Sequence, residues 1–299
     1  MATQINVAAG TSIGRVRRRN EDAFLIADIV HGAPALAGGS ARLSVGRKGA
    51  LIAVSDGMGG HKAGDVAASM TLDSLYRALV RQTSDPEIDA RLVQATEVAN
   101  ADVYAAGRRP SLAQMGATVT AVLIVDATAY VAEVGDSRGY VVRNGVARRL
   151  TLDQSLAQIA VNIGMLEPGE VAGSPLRNVL AQAIGQTTEV SVALSVLELR
   201  RRDCLVLASD GLTSKIADEE LACEILSAGS LVAACENLIA LANARGGDDN
   251  ITVVLAGISA GVPEAPRDER FSGTFHVLRT FDPNARARAG VEQGSEPPH

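Results

Sequence analysis

The stretch 117-ATVTAVLIVDATAYVAEVGDSRGYVVRNG-145 holds three apolar runs in close succession, 117–126, 128–136 and 138–145, each rich in Val, Ile and Thr or Tyr. Branched and aromatic side chains suit a pleated surface, so the runs read as strands. Asp126, Gly135 and the pair Asn144–Gly145 punctuate them as turns. The connections are too short for a crossover helix. Consecutive strands must therefore run antiparallel, and the stretch reads as an antiparallel meander.

Runs of the same kind recur outward in both directions, at 22-DAFLIADI-29, 49-GALIAVSD-56, 190-VSVALSVLEL-199, 203-DCLVLASD-210 and 250-NITVVLAGI-258. Between them the apolar period changes. In 64–82, Val66, Met70, Leu75 and Leu79 recur at helical spacing, as do Ile88, Leu92, Ala95, Ala99 and Val103 in 86–106. A second pair of helices fits 217–229 and 230–244, with Ser230 as N-cap. Strands with paired helices predict an α+β fold, antiparallel sheets carrying helix pairs on their outer faces.

Composition narrows the function classes. Aromatics make up 3% of the 299 residues and Trp is absent, so the core must be aliphatic. A net charge of −6 argues against a nucleic-acid binder, which shows a basic excess. Cys204, Cys223 and Cys235 have neither CxxC spacing nor even number, and read as reduced thiols of a cytoplasmic protein. The N-terminus lacks a long apolar segment, and the apolar stretch 118–134 is interrupted by Asp126 and Glu133, so neither a signal peptide nor a membrane span is expected. The organisation predicted is one domain over 1–260, with a Gly/Ala/Ser-rich loop at 30–49. A Pro- and charge-rich tail, 261–299, follows, partly disordered and docking through Phe271, Phe275 and Phe281. A monomer is expected.

Acidic residues collect where apolar runs end: Glu21 and Asp22, Asp56, Asp136, Asp210, and Asp248 with Asp249. If these ends share one rim, the carboxylates repel one another strongly at low effective dielectric. Cations between them would offset that repulsion. With no Cys/His cluster the ligands are all oxygen, which favours hard ions such as Mg²⁺ or Mn²⁺. Asp-Gly after a strand is also the commonest hairpin signal, and spacing alone leaves turn and ligand level.

The motifs 14-GRVRRRNED-22, 55-SDGMGGHKAGDVAA-68, 115-MGATVTAVL-123, 134-VGDSRGYVVRNG-145, 151-TLDQS-155, 209-SDGL-212 and 247-GDDNITVV-254 occur in this order. Together they resemble the bacterial metal-dependent serine/threonine protein phosphatases of the PPM type, the protein phosphatase 2C family. The resemblance covers roughly residues 5–258. It implies a four-layer αββα sandwich, two antiparallel sheets flanked by pairs of antiparallel helices. It also implies two core Mn²⁺ or Mg²⁺ ions and a third, weaker one. Asp56 matches the acid shared by both core ions, with the Gly57 carbonyl on one. Glu21 matches a ligand of the second ion, Asp22 an acid acting through water, and Asp210 and Asp249 ligands of the first. Asp136, with Asp210, matches the holder of the third. Arg17 stands where the family places its phosphate-gripping arginine.

The reaction so implied is attack on phosphorus by a metal-activated water, without a covalent phosphoenzyme. Eukaryotic relatives carry a histidine directly after the Asp-Gly pair, where this chain has Met58; His61 is the nearest substitute as general acid. The leading reading is a phosphatase acting on phosphoproteins and opposing a bacterial Ser/Thr kinase. A phosphatase in an anti-sigma-factor switch would carry the same motifs. A non-catalytic pseudophosphatase would have lost one or more of the acids.

Overall fold

In the computed structural model, which describes residues 2–29, 33–34, 40–58, 63–82, 87–266 and 269–283, the apolar runs become strands of two antiparallel sheets. In chain order the elements are β1 (Thr3–Ser12), β2 (Asp22–Asp28), β3 (Ala33–Pro34), β4 (Ser40–Val45), β5 (Ala50–Met58), α1 (Gly64–Arg81) and α2 (Ile88–Gly107). There follow β6 (Gly116–Ala117), β7 (Val119–Val125), β8 (Thr128–Val134), β9 (Arg138–Arg143), β10 (Val146–Arg149) and α3 (Leu156–Asn162). The last are β11 (Ala193–Glu198), β12 (Cys204–Ala208), α4 (Asp210–Thr213), α5 (Asp218–Ser227), α6 (Leu231–Ala244), β13 (Ile251–Ala260) and β14 (Phe275–Arg279). One sheet runs β10-β9-β12-β13-β1-β4, the other β14-β11-β8-β7-β5-β2-β3, with β6 paired to β5.

The central strands are buried on both faces, which explains why their sequences run apolar without alternation. In β5, Ile52 and Val54 meet Val254 and Leu205 of the facing sheet, forming the core between the sheets. Leu51 and Ala53 point the other way, against Leu72, Leu75 and Leu92 of α1 and α2. On the opposite outer face Val206, Val253 and Leu255 pack with Leu221, Ile225 and Leu238 of α5 and α6. Each of these Val, Leu and Ile side chains stabilises the fold by about 1.5–3 kcal/mol on burial. The result is a four-layer α+β sandwich. Among the described residues no helix is long and apolar enough to cross a membrane.

The helices follow their apolar period with one shift. The buried stripe of α1 is Ala67, Ala68, Leu72, Leu75 and Leu79, whereas Val66 is 39% exposed. In α2, Leu92, Ala95, Ala99 and Val103 are buried as their spacing predicts. Ser230 caps α6, its Oγ accepting from Ala233 N at 3.1 Å.

The expected meander is corrected. β7 and β8 pair antiparallel, but β9 joins the other sheet beside β12. The chain crosses at Gly135, whose φ of +111° and close approach to Thr118, 2.7 Å from where a Cβ would lie, admit only glycine. The loop expected over 30–49 is also corrected. Its second half carries β4, which pairs with β1 as a sheet edge and buries Leu43 and Val45.

Beyond β13 the chain returns to the sandwich. β14 pairs with β11, and Phe271 stacks on Phe275 with ring centroids 5.2 Å apart. Arg143 holds this segment from inside. Its Nε and Nη2 donate to Asp203 at 2.8 and 2.7 Å, and its Nη1 to Thr274 Oγ1 at 2.9 Å and Glu269 at 3.1 Å.

Candidate active site

The acids singled out by the sequence sit at one end of the sandwich, where strands of both sheets stop. Asp22 opens β2 and lies directly across from Asp56 near the end of β5. Asp210 follows β12 and opens α4, Asp249 precedes β13, and Asp136 lies in the turn from β8 to β9. Asp56 is the meeting point. Its carboxyl is held well above the usual carboxylate range, first by burial and then by Asp22, Asp210, Asp136 and Asp249. Burial, against the help of Ser209, pushes Asp22 up to about 7. Burial and Asp210 push Asp136 up to about 8. Asp210 rises too, from burial and Asp249.

Glu21 enters from the chain just before β2. The point where a Cβ on Gly64 would sit lies 2.7 Å from the Glu21 carboxyl carbon and 2.9 Å from the Gly57 carbonyl oxygen. Glycine at the start of α1 thus lets those two oxygen-bearing groups come together. Arg17, in the loop between β1 and β2, donates from Nη2 to Asp249 Oδ2 at 2.6 Å. His61 lies outside the described residues. Met58 accepts a contact from Gln186 Nε2 at 3.2 Å.

Hydroxyls and one amide fix the rim. Thr118 Oγ1 accepts from Asp56 N at 3.0 Å and shares a hydrogen bond of 2.7 Å with Ser137, tying the Asp136 turn to β5. Ser209 Oγ donates to Asp22 Oδ2 at 2.7 Å and accepts from Thr252 N at 2.9 Å. Asn250 Oδ1 accepts from Glu21 N at 2.8 Å, while its Nδ2 donates to the Ile13 and Arg19 carbonyls. Ser137, Ser209 and Asn250 each stand beside an acid in the motifs quoted above, and that is their sequence signal; Thr118, between β6 and β7, and Thr252, in β13, lie in quoted motifs but beside no acid.

Two buried carboxylate oxygens, Asp22 Oδ1 and Asp210 Oδ1, have no hydrogen-bond partner among the described residues. Each such atom costs about 1–3 kcal/mol or more. Among the described residues no three of the acids close into a finished cage round one point. The gathering is a rim of hard oxygens, crowded and partly unsatisfied, which fits divalent cations of the Mg²⁺ or Mn²⁺ kind.

Known proteins share this fold and much of its sequence. The sequence pattern of the protein phosphatase 2C family matches residues 39–256. The serine/threonine phosphatase stp of Listeria monocytogenes is 32% identical over 249 residues, 82% of this chain and 92% of its own. The chain belongs to the protein phosphatase 2C family. The crystal structure of the Mycobacterium tuberculosis serine/threonine phosphatase PstP/Ppp matches with a TM-score of 0.73 at 31% identity, over 86% of this chain and 100% of that one. The catalytic domain of PstP in complex with two manganese ions matches at 0.70 and 30% identity, over 86% and 100%. This phosphatase is a protein-serine/threonine phosphatase of a metal-dependent family.

The stretch 153-DQS-155 packs against the turn that carries Asp136. Asp153 takes a forked pair of bonds from Arg138, at 3.0 and 2.7 Å. Gln154 bonds Gly135 through both its backbone N and its Oε1, at 2.8 Å each. These two residues therefore clamp the turn that carries Asp136.

Proposed function

We propose that the protein hydrolyses phosphoserine and phosphothreonine on proteins with a water activated by Mn²⁺ or Mg²⁺, opposing a bacterial Ser/Thr kinase. The observation carrying this reading is the rim of buried, mutually repelling acids with unsatisfied oxygens beside an arginine. In this reading Asp56, Glu21, the Gly57 carbonyl, Asp210 and Asp249 would hold two ions, Asp136 with Asp210 would hold a third, and Asp22 would act through water. When bound, such ions supply Lewis-acid polarisation and a nucleophilic water at neutral pH. The chain's own part is to fix these oxygens by the hydroxyl bonds described above and to orient the phosphoryl group. His61 is proposed as general acid toward the leaving oxygen.

Arg17 grips the phosphate in this reading. Its guanidinium is 53% exposed, so its ion pair with Asp249 adds little stability and costs little to exchange. Released from Asp249, its fork would offer parallel N–H donors to two phosphate oxygens. Arg17→Ala should raise KM for a phosphopeptide about 10- to 100-fold, the worth of a charged hydrogen bond, with a smaller change in kcat. Arg17→Lys should recover only part, lacking the planar fork. Unchanged KM and kcat in Arg17→Ala would remove the residue from the site.

The experiment that tests the function is phosphate release from a phosphothreonine peptide by the purified protein. Release is expected with Mn²⁺ or Mg²⁺, to stop with EDTA, and to return when excess Mn²⁺ is added. A folded protein that releases nothing with either ion would be a phosphoprotein-binding module instead.

A further inference from the structure

The loop that carries Arg17 reads 13-IGRVRRRN-20, and Arg15, Arg18 and Arg19 lie on it as well, all exposed. Its backbone is fastened along its length. Gly14 N donates to Ser12 Oγ at 3.2 Å, Arg15 N to the Gly247 carbonyl at 2.7 Å, and Asn250 Nδ2 to the Ile13 and Arg19 carbonyls at 3.0 and 2.8 Å. Asn20 Nδ2 closes the far end on Thr11 Oγ1 at 2.7 Å. The backbone is thus pinned to the acid rim while the side chains stand in solvent.

The acids beside the loop are engaged. Asp249 pairs with Arg17, Asp248 with Lys215, and the Glu21 carboxyl lies against Gly64. Among the described residues no acid pairs with Arg15, Arg18 or Arg19. Their positive charges repel one another with nothing opposite them. Two aliphatic side chains are also on show there, Val16 at 65% and Ile13 at 40% exposure. A single-stranded nucleic acid would want aromatic platforms, which the loop lacks. Unpaired cations and exposed aliphatic groups on a fixed backbone fit an acidic peptide.

We propose that Arg15, Arg18 and Arg19 are specificity-determining residues that receive aspartate or glutamate side chains flanking the phosphorylated residue of a protein substrate. The inference rests on the phosphatase reading, in which Arg17 holds the phosphate. Neighbouring Cα atoms lie about 3.8 Å apart and an extended peptide advances about 3.3 Å per residue, so arginines one and two positions from Arg17 match substrate positions within about three of the phosphorylated one. Exposed charges of this kind act on capture of the substrate more than on the chemical step.

The test compares two phosphothreonine peptides as substrates of the full-length protein with Mn²⁺, one flanked on both sides by glutamate and one by alanine. The acidic peptide should be favoured about five- to tenfold in kcat/KM, mainly through KM, since each exposed charge contact is weak by itself. Raising NaCl from about 0.05 to about 0.5 M should shrink that preference below about twofold. Arg18→Ala with Arg19→Ala should remove most of it, and Arg18→Glu with Arg19→Glu should reverse it. The same ratio in wild type and both double variants, even with all rates lowered, would overturn the role. Release from neither peptide by the wild type would sink the phosphatase reading instead. Fluorescence anisotropy of the labelled peptides would then decide the surface: acidic binding about fivefold tighter, and lost in Arg18→Ala with Arg19→Ala, supports it, whereas equal binding overturns it.

Discussion

Asp56→Asn is expected to cut turnover by about 10³-fold or more while leaving the ion-free protein at least as stable as the wild type. A divalent clamp contributes several kcal/mol to the transition state, and each 1.36 kcal/mol is a factor of ten in rate. Asparagine keeps the shape of aspartate but not the charge that would hold two cations. The stability half follows from the same geometry. Asp56, Asp22 and Asp136 all bind protons more tightly folded than in an unfolded chain, where a carboxyl titrates near 3.8. Groups with raised folded values stabilise fully below the unfolded value and lose that contribution as pH rises through the folded one. The ion-free protein should therefore lose thermal stability between about pH 4 and 8, through about 7 for Asp22 and about 8 for Asp136. Asp56→Asn removes one buried acid from that set, so its melting temperature should fall less steeply with pH. Added Mn²⁺ should raise the wild-type melting temperature more at pH 8 than at pH 6, because binding must release protons. Melting curves across that range with and without Mn²⁺, beside steady-state kinetics, check both halves. Retained turnover, or marked destabilisation of the ion-free variant, would contradict the assignment of Asp56.

How much of this was legible in the sequence depends on what kind of signal each residue carries. The central strands declare themselves because both faces are buried, leaving apolar runs such as 121-AVLIV-125 without polar interruption. The choice of sheet is not local. β9 leaves β8 because of the turn at Gly135, and nothing in 138-RGYVVR-143 distinguishes one sheet from the other. β1 and β4 hide because small and polar residues dilute them; β1 buries Ile5 and Val7 within TQINVAAGTS. The acids were visible because an aspartate closing an apolar run is costly and recurs. Their partners were not, since Thr118 and Ser209 meet Asp56 and Asp22 through register and crossing, across 62 and 187 residues of chain. The clamp at Asp153 and Gln154 is likewise a property of the assembled turn.

Arg143→Ala is expected to lower unfolding stability by about 3–5 kcal/mol, the usual consequence of removing one partner of a buried ion pair. Arg143 is 8% exposed and Asp203 is 1% exposed, so the aspartate left behind has no route to water. It would keep the Arg200 N–H at 2.7 Å and lose both guanidinium bonds. The Glu198 carbonyl, Glu269 and Thr274 each lose a donor as well. Glu269 and Thr274 belong to the C-terminal segment, so the damage should reach beyond the pair itself. Amide hydrogen exchange in β14 should quicken more than in β13, which is held by β1 and β12 on either side. Glu269→Gln should cost much less, about 1 kcal/mol, since that carboxylate is more open to solvent and Arg143 keeps Asp203. A double variant, Arg143→Met with Asp203→Leu, should recover part of the loss, because it leaves no lone buried charge. Urea midpoints at constant slope read all three values. A loss under about 1 kcal/mol for Arg143→Ala, or a double variant worse than the sum of its singles, would mean that water or a rearranged tail reaches Asp203, and that the pair does not fasten the C-terminal segment to the sandwich.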